Sequence, residues 1–399
     1  MAIKMKDSGI DWVGEIPNHW EVKPIRAIFI ENNNKNIWGK ETNALQFKSG
    51  EIVSKQNFDA SEDDYVADTI LKYNIVDNGM IVINGLNLNF DFVTKRVGLV
   101  RERGIITSAS YDHCAAFHNM GGGVRKILNF AELKHNLFVV PPLSEQKVIS
   151  EYLDKECWKI DVLKADIQVQ IDTLEQYKRS VITEAVTHGL NPTAAMKESG
   201  IPWVGQFPTH WTKKKGKYIL RYMSKPIKQD DGVITCFRDG QVTLRRNRRE
   251  DGFTMADKEI GYQGVDVGDL IVHGMDGFAG AIGISDSRGK ASPVLNVLDT
   301  MQNKKYIMYY LRSMAYGDVF TALSTGIRVR SCDLRWNKLA ELLYPLPPID
   351  EQNNIVNYID NQIVRTNEII ADKKSQIETL DDYKKSVIYE YVTGKKAVI

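Results

Sequence analysis

The chain has 399 residues, 43% of them apolar and 26% charged, and a formal net charge of +1. That is room for two or three globular domains, and no run of eighteen apolar residues is present to span a membrane. The cysteines Cys114, Cys157, Cys236 and Cys332 lack CxxC spacing for zinc or redox work, and MAIKMKDSGI lacks a signal peptide's apolar core, so reduced thiols in a cytoplasmic protein are expected.

Taken in order, the chain opens on MKDSGIDWVGEIPNHW (5–20), which returns as MKESGIPWVGQFPTHW at 196–211. Polar turns alternate with Trp12 and Trp20, or Trp203 and Trp211, which predicts a packing clip whose aromatics pin a strand to a helix end. The alternative makes His19 and His210 catalytic, but no acidic or nucleophilic companion is found repeated with them.

Residues 21–140 and 212–346 are a diverged pair. Gln46–Ile52 can be laid on Cys236–Val242, which continues to place Lys55 on Arg245 and Asn57 on Asn247; Val76–Val82 falls on Val265–Ile271. Short β-branched runs separated by Gly and Asp predict strands and tight turns in both.

Each region leads into a long repeat. Residues 141–190 begin PPLSEQ and 347–396 begin PPIDEQ, with matches at Ile149/Ile355, Tyr152/Tyr358, Ile171/Ile377, Leu174/Leu380, Tyr177/Tyr383, Val181/Val387 and Ile182/Ile388. Ser144 and Asp350 are expected as N-caps, and Gly189 and Gly394 as the stops. More than forty residues without proline or glycine predict rods of roughly 60 Å. One apolar stripe on each calls for a partner stripe, which predicts an antiparallel pair. If the second rod returns along the first, the C-terminus ends beside the N-terminal clip. The molecule would then be pseudo-twofold, and a circular permutant opened between 190 and 196 would function.

The expected fold class is α+β: two mixed α/β domains (1–140 and 191–346, each with its clip) joined by two long antiparallel spacer helices (141–190 and 347–399). Charge follows this division. Residues 212–346 carry 22 Lys+Arg against 15 Asp+Glu, 21–140 balance at 14 and 14, and the helical segments are acidic, at 6 against 9 and 7 against 9. A neutral total therefore hides a basic domain, and polyanion binding requires only a local basic face.

Motifs for chemistry are absent from the sequence: there is no GxxxxGK[ST], no GxGxxG opening a βαβ unit, no HExxH, no GxSxG and no Asn-Pro-Pro-aromatic methyltransferase motif. Asp11 with Glu21 and Lys23 loosely matches a metal-dependent D…ExK nuclease site, but the second copy has Pro202 and Thr212 in place of the acids. No metal ligands are expected. The DNA-binding candidates are Lys48, Lys55, Arg96, Arg125 and Lys126 in the first domain. In the second they are Arg238, Arg245, Arg246, Arg248, Arg249, Arg328 and Arg330. Gly121–Gly123 and Gly326 stand just before Arg125 and Arg328, where a bare backbone can approach a phosphate; arginine grips phosphate or reads guanine through its fork.

Two variable domains alternating with near-identical helices that open PPLSEQ and PPIDEQ, each domain preceded by MKxSGIxWVGxxPxHW, resemble the specificity (S) subunit of type I restriction–modification enzymes. The resemblance covers essentially the whole chain. It implies a non-catalytic subunit in which each variable domain reads one half of a split double-stranded DNA target. The helices would hold the half-sites apart and dock two modification (methyltransferase) subunits, which restriction (ATP-dependent endonuclease) subunits join. S-adenosylmethionine, ATP and Mg²⁺ would then belong to the partners, with no cofactor on this chain. A stand-alone metal-dependent endonuclease and a coiled-coil scaffold without DNA are the alternatives. The chain departs from its own repeat in one place. Residues 303–313 form an expected helix before Thr325–Gly326, whereas 108–121 leave no room for one, so the second half-site is expected to be read more strictly than the first.

Overall fold

A computed structural model describes residues 4–48, 50–55, 70–83, 97–106, 130–248, 260–323 and 334–398. The chain forms two compact units, Met1–Lys159 with Tyr383–Ile399, and Ile160–Asp382. Long helices α1 (Leu143–His188) and α3 (Ile349–Val392) run through both units, and a shorter helix, α2 (Lys304–Tyr316), lies in the second. At 46 and 44 residues, α1 and α3 are rods of about 70 and 65 Å. Among the described residues no helix is long and apolar enough to cross a membrane.

The helices are antiparallel. In the second unit Lys164 pairs with Asp381, Lys373 donates to Gln170, and Lys178 donates to Asn367, so one number falls as the other rises. In the first unit Tyr391 donates to the Tyr152 hydroxyl at 3.2 Å. Buried positions recur every eleven residues, at Ile160, Ile171 and Ile182 on α1, and at Ile355 and Thr366, and Ile359 and Ile370, on α3. Eleven residues in three turns is about 3.67 per turn, close to a straight helix, so the stripe barely drifts.

The helix starts differ from expectation by two residues. The carbonyls of Pro142 and Pro348 accept the first helical bonds, from Gln146 and Gln352, which makes the prolines the caps and puts Ser144 and Asp350 inside the first turn. The glutamines also reach back, donating Nε2 to Pro141 and Pro347 at 2.8 and 2.9 Å. The stops are as expected. Gly189 (φ +80°) and Gly394 (φ +72°) take the left-handed conformation, Gly189 against Trp211 and Gly394 against Pro17 and Trp20.

In the first unit the clip is a short antiparallel hairpin, β1 (Met5–Asp7) and β2 (Glu15–Pro17). β3 (Glu21–Pro24) pairs with β10 (Leu137–Val140), the strand that feeds α1. Between them lie hairpin β4 (Leu45–Lys48)/β5 (Glu51–Ser54), pair β7 (Ile81–Ile83)/β8 (Val97–Leu99) and pair β6 (Asn74–Val76)/β9 (Gly104–Ile106). The end of α3 packs on the clip: Tyr389 donates to the Trp12 carbonyl, and Lys395 to those of Val13 and Glu15.

The second unit repeats this plan with the clip β11 (Met196–Glu198)/β12 (Gln206–Pro208) and β13 (Thr212–Lys215) paired with β22 (Leu343–Leu346), which feeds α3. Its centre is an antiparallel sheet in the order β14 (Leu220–Tyr222), β21 (Leu295–Thr300), β18 (Leu270–His273), β19 (Ile282–Ile284). Successive residues of β18 enter opposite faces and all of Leu270, Ile271 and Val272 are buried. One face meets hairpin β15 (Ile234–Cys236)/β16 (Val242–Leu244) and pair β17 (Gln263–Val265)/β20 (Gly289–Ala291).

The expected helix α2 covers the other face. It is capped by Asn303, whose side chain accepts from the Tyr306 N–H, and it buries Tyr306, Ile307, Tyr310, Leu311 and Met314. Each such side chain contributes about 1.5–3 kcal/mol of burial. Among the described residues of the first unit no helix covers the equivalent face: Ile81 is 45% exposed, Val97 54% and Phe138 47%, where Leu270, Ile282 and Tyr344 are 0%. An apolar groove of about 440 Å³ runs along it, and one of about 590 Å³ lies between β10, the clip and the start of α1. The shortened stretch itself, 108–121, lies outside the described residues.

Candidate nucleic-acid interface

The basic candidates among the described residues, Lys48, Lys55, Arg238, Arg245, Arg246 and Arg248, lie on or just after one hairpin in each unit. In the second, β15 (Ile-Thr-Cys) and β16 (Val-Thr-Leu) alternate apolar residues with threonines, Leu244 only partly buried, and are closed by a tight turn. Gly240 sits at φ +90° and donates to the Phe237 carbonyl, while Phe237 donates to that of Gln241, the glycine supplying the left-handed step that closes such a turn. The chain then enters a 3-10 turn, Arg245–Asn247. In the first unit β4 and β5 are also joined through a left-handed glycine, Gly50 at φ +89°, but by a turn one residue shorter, with Lys48 opposite Glu51. The Lys55 N–H bonds the Ala44 carbonyl just as that of Arg245 bonds Val233. Lys55 and Arg245 therefore follow equivalent strands, as the sequence alignment places them, whereas Lys48 and Arg238 differ by one position: Lys48 pairs with Glu51 at the end of β4, and Arg238 lies inside the turn between Phe237 and Gln241.

The second hairpin is the more basic. Arg238 pairs with Asp276 at 3.0 Å. Asp276 is in turn held by His273, whose Nδ1 accepts the backbone N–H groups of Met275 and Asp276; burial lowers the His273 pKa, which keeps that nitrogen an acceptor. Arg245 donates to Thr235, Arg248 pairs with Asp239 at 2.8 Å, and Arg246 is exposed. Lys48 and Lys55 are exposed in the first unit. Arg96, Arg125, Lys126, Arg249, Arg328 and Arg330 lie outside the described residues.

Behind each hairpin stands an ion cluster that the sequence did not reveal. In the second unit Arg288 bonds Asp231 through two nitrogens and Asp266 at 2.5 Å, while Lys225 binds Asp266 and Asp269. The Lys225 and Arg288 hydrogen bonds pull the Asp266 pKa down to about 2. The first unit has Arg103 between Asp77 and Glu41. The signal was partly visible, since Asp77 and Asp266 were aligned, but their arginines lie 26 and 22 residues further on.

The clips also differ from expectation. His19 does have a repeated acidic companion: Glu145 accepts from Trp20 Nε1 at 2.8 Å and sits 2.6 Å from His19 Nε2. In the second unit Glu351 accepts from Trp211 at 3.1 Å and sits 2.7 Å from His210. These are the glutamates of PPLSEQ and PPIDEQ, so each clip grips the first turn of a helix, with the buried indole as its anchor. Trp12, by contrast, is 59% exposed and anchors no core. Glu21 of the nuclease-like match is ion-paired to Lys23 on the same strand, and among the described residues no cluster of ligands suited to a metal ion occurs.

No family model matches the chain. A curated protein of Methanocaldococcus jannaschii described as a putative type I restriction enzyme MjaX specificity subunit is 23% identical over 287 residues, 67% of this chain and 61% of that protein. The match thus spans about three fifths of that relative's length. Among solved structures, one concerned with complex assembly and conformational transition of the type I R-M system superposes with a TM-score of 0.63 at 12% identity, covering 96% of this chain and 99% of the other. The HsdS subunit from Thermoanaerobacter tengcongensis gives 0.45 at 13% identity over 96% and 98%. The fold is α+β, two β-rich domains with two long helices packed together, and it is shared with a type I restriction–modification chain; in sequence the chain resembles a type I specificity subunit.

Proposed function

We propose that this chain is the DNA-recognising specificity subunit of a type I restriction–modification enzyme. Each β-rich domain reads one half of a bipartite duplex target and performs no chemistry itself. The observation that carries this reading is the recurrence of one basic hairpin, Lys48 and Lys55 in one unit and Arg238 and Arg245 in the other, beside copied helices. Lysine and arginine contacts to phosphate would supply affinity and register, and a few side chains in the grooves would supply sequence.

The helices would dock two modification subunits. Exposed apolar residues recur at identical repeat positions, Leu143 and Ile349, Trp158 and Val364, Leu163 and Ile369, Tyr177 and Tyr383. Exposed apolar positions copied on both helices suit two copies of one partner. S-adenosylmethionine, ATP and Mg²⁺ would then serve chemistry on the partners.

Replacing Arg245, Arg246, Arg248 and Arg249 together with alanine should weaken duplex binding and flatten its salt dependence between about 50 and 200 mM, with assembly on the methyltransferase subunits intact. Fluorescence anisotropy and size-exclusion chromatography read the two effects. Loss of assembly with DNA binding retained would contradict the assignment.

A further inference from the structure

Among the basic residues of the second hairpin, Arg248 is held on three sides. Its guanidinium lies over the Phe237 ring, 4.2 Å from the centroid. Nη1 is 2.8 Å from Asp239 Oδ2 and 3.4 Å from Gln241 Oε1. These three partners belong to a single turn, and that turn is itself braced. The Gln241 N–H donates to Asp239 Oδ1 at 3.1 Å. From α2, Arg312 donates Nη2 to the Asp239 carbonyl at 2.8 Å and Nε to the Tyr316 hydroxyl at 2.9 Å. The fit is close: a β-carbon on Gly240 would come within 2.1 Å of Arg312 Nη1.

An arginine stacked on a ring, with one nitrogen held by a carboxylate, has its plane and its free edge fixed. That suits a planar pair of acceptors, which in the major groove is O6 and N7 of guanine. Phosphate can be met from many directions and does not require such preparation. Arg246, exposed two residues earlier, has no such stacked ring or carboxylate among the described residues.

We propose that Arg248 reads a guanine in the half-site of the second unit, with Phe237 and Asp239 setting its plane and Arg312 acting as the positioning residue for the turn. This rests on the DNA-recognition reading above. It goes further in dividing the arginines between base and backbone.

The test is to express the full chain with its modification subunits and map methylated adenines across the genome. The wild type should give a bipartite motif. Arg248→Ala should accept other bases at one position where the wild type requires guanine, with a loss of discrimination of roughly 5- to 150-fold. Phe237→Leu, which retains the charge, and Arg312→Ala, which touches no DNA, should relax that same position. Arg246→Ala should lower methylation at every site and leave the motif strict. If Arg248→Ala and Phe237→Leu keep the wild-type motif, or abolish methylation at every site alike, the proposal is overturned. A wild type that yields no bipartite motif would instead bring down the DNA-recognition reading itself.

Discussion

Glu145 and Glu351 each hold one indole and one imidazole at the mouth of a long helix. The indole of Trp211 is fully buried, so removing its acceptor leaves a donor with no bond. Glu351→Ala should cost about 1–3 kcal/mol, measurable as a lower urea midpoint. His210→Ala, at an exposed ring, should cost less. The first half of this socket was legible in the sequence, because the clips and the PPxxEQ starts both repeat. Their union was not, since the partners lie 125 and 140 residues apart and neither local pattern points to the other.

Ion pairs of the second unit make a pH prediction: Asp266 of the cluster, Asp299 beside Arg221 and Lys304, and Glu341 beside Lys215 and Lys217. Asp266, Asp299 and Glu341 are all held down to about 2, chiefly by hydrogen bonds from Lys225, Lys304 and Lys215 respectively. A carboxylate with a depressed folded pKa contributes stability above its unfolded value, near 4. That contribution disappears as pH falls from about 4 toward 2. Thermal midpoints should therefore change little through these groups between pH 7 and 5 and drop below 4. Asp266→Asn should be less stable at pH 7 and lose less on acidification; an unchanged acid profile would show that Asp266 does not contribute to that loss.

At the scale of elements, the long helices and α2 were legible because each has a repeated or capped start and no internal Gly or Pro. The hairpins were legible through Gly50 and Gly240, where only the turn chemistry survived divergence. Helix starts were misplaced by two residues because backbone carbonyls at Pro142 and Pro348, rather than polar side chains, begin the ladder. Half of the candidate DNA contacts fall on described hairpins. The aspartates that orient Arg238 and Arg248 could not be assigned from spacing alone.

The unequal sheets also have a consequence. α2 seals one face of β18–β19, whereas among the described residues no helix covers the matching face of β7–β8. Amide hydrogen exchange should therefore be faster in β7–β8 than in β18–β19. Equal protection would mean that this face is covered in solution. The same difference underlies the expectation of a less strict first half-site.

For the whole molecule, each unit takes the start of one long helix and the end of the other, and Lys395 bonds the backbone of the first clip. The sequence repeat anticipated this return of the chain. A circular permutant opened between 190 and 196, with the present ends joined, should fold and bind DNA and partners as the parent does. A permutant that folds but cannot bind would count against the internal symmetry.

The most direct measurement is sequencing of methylated adenines in DNA from cells that express this chain with its modification subunits. One interrupted motif is expected, two specific half-sites at a fixed separation, with the half-site of the second unit the stricter. A single continuous motif, or methylation unchanged when this chain is removed, would contradict it.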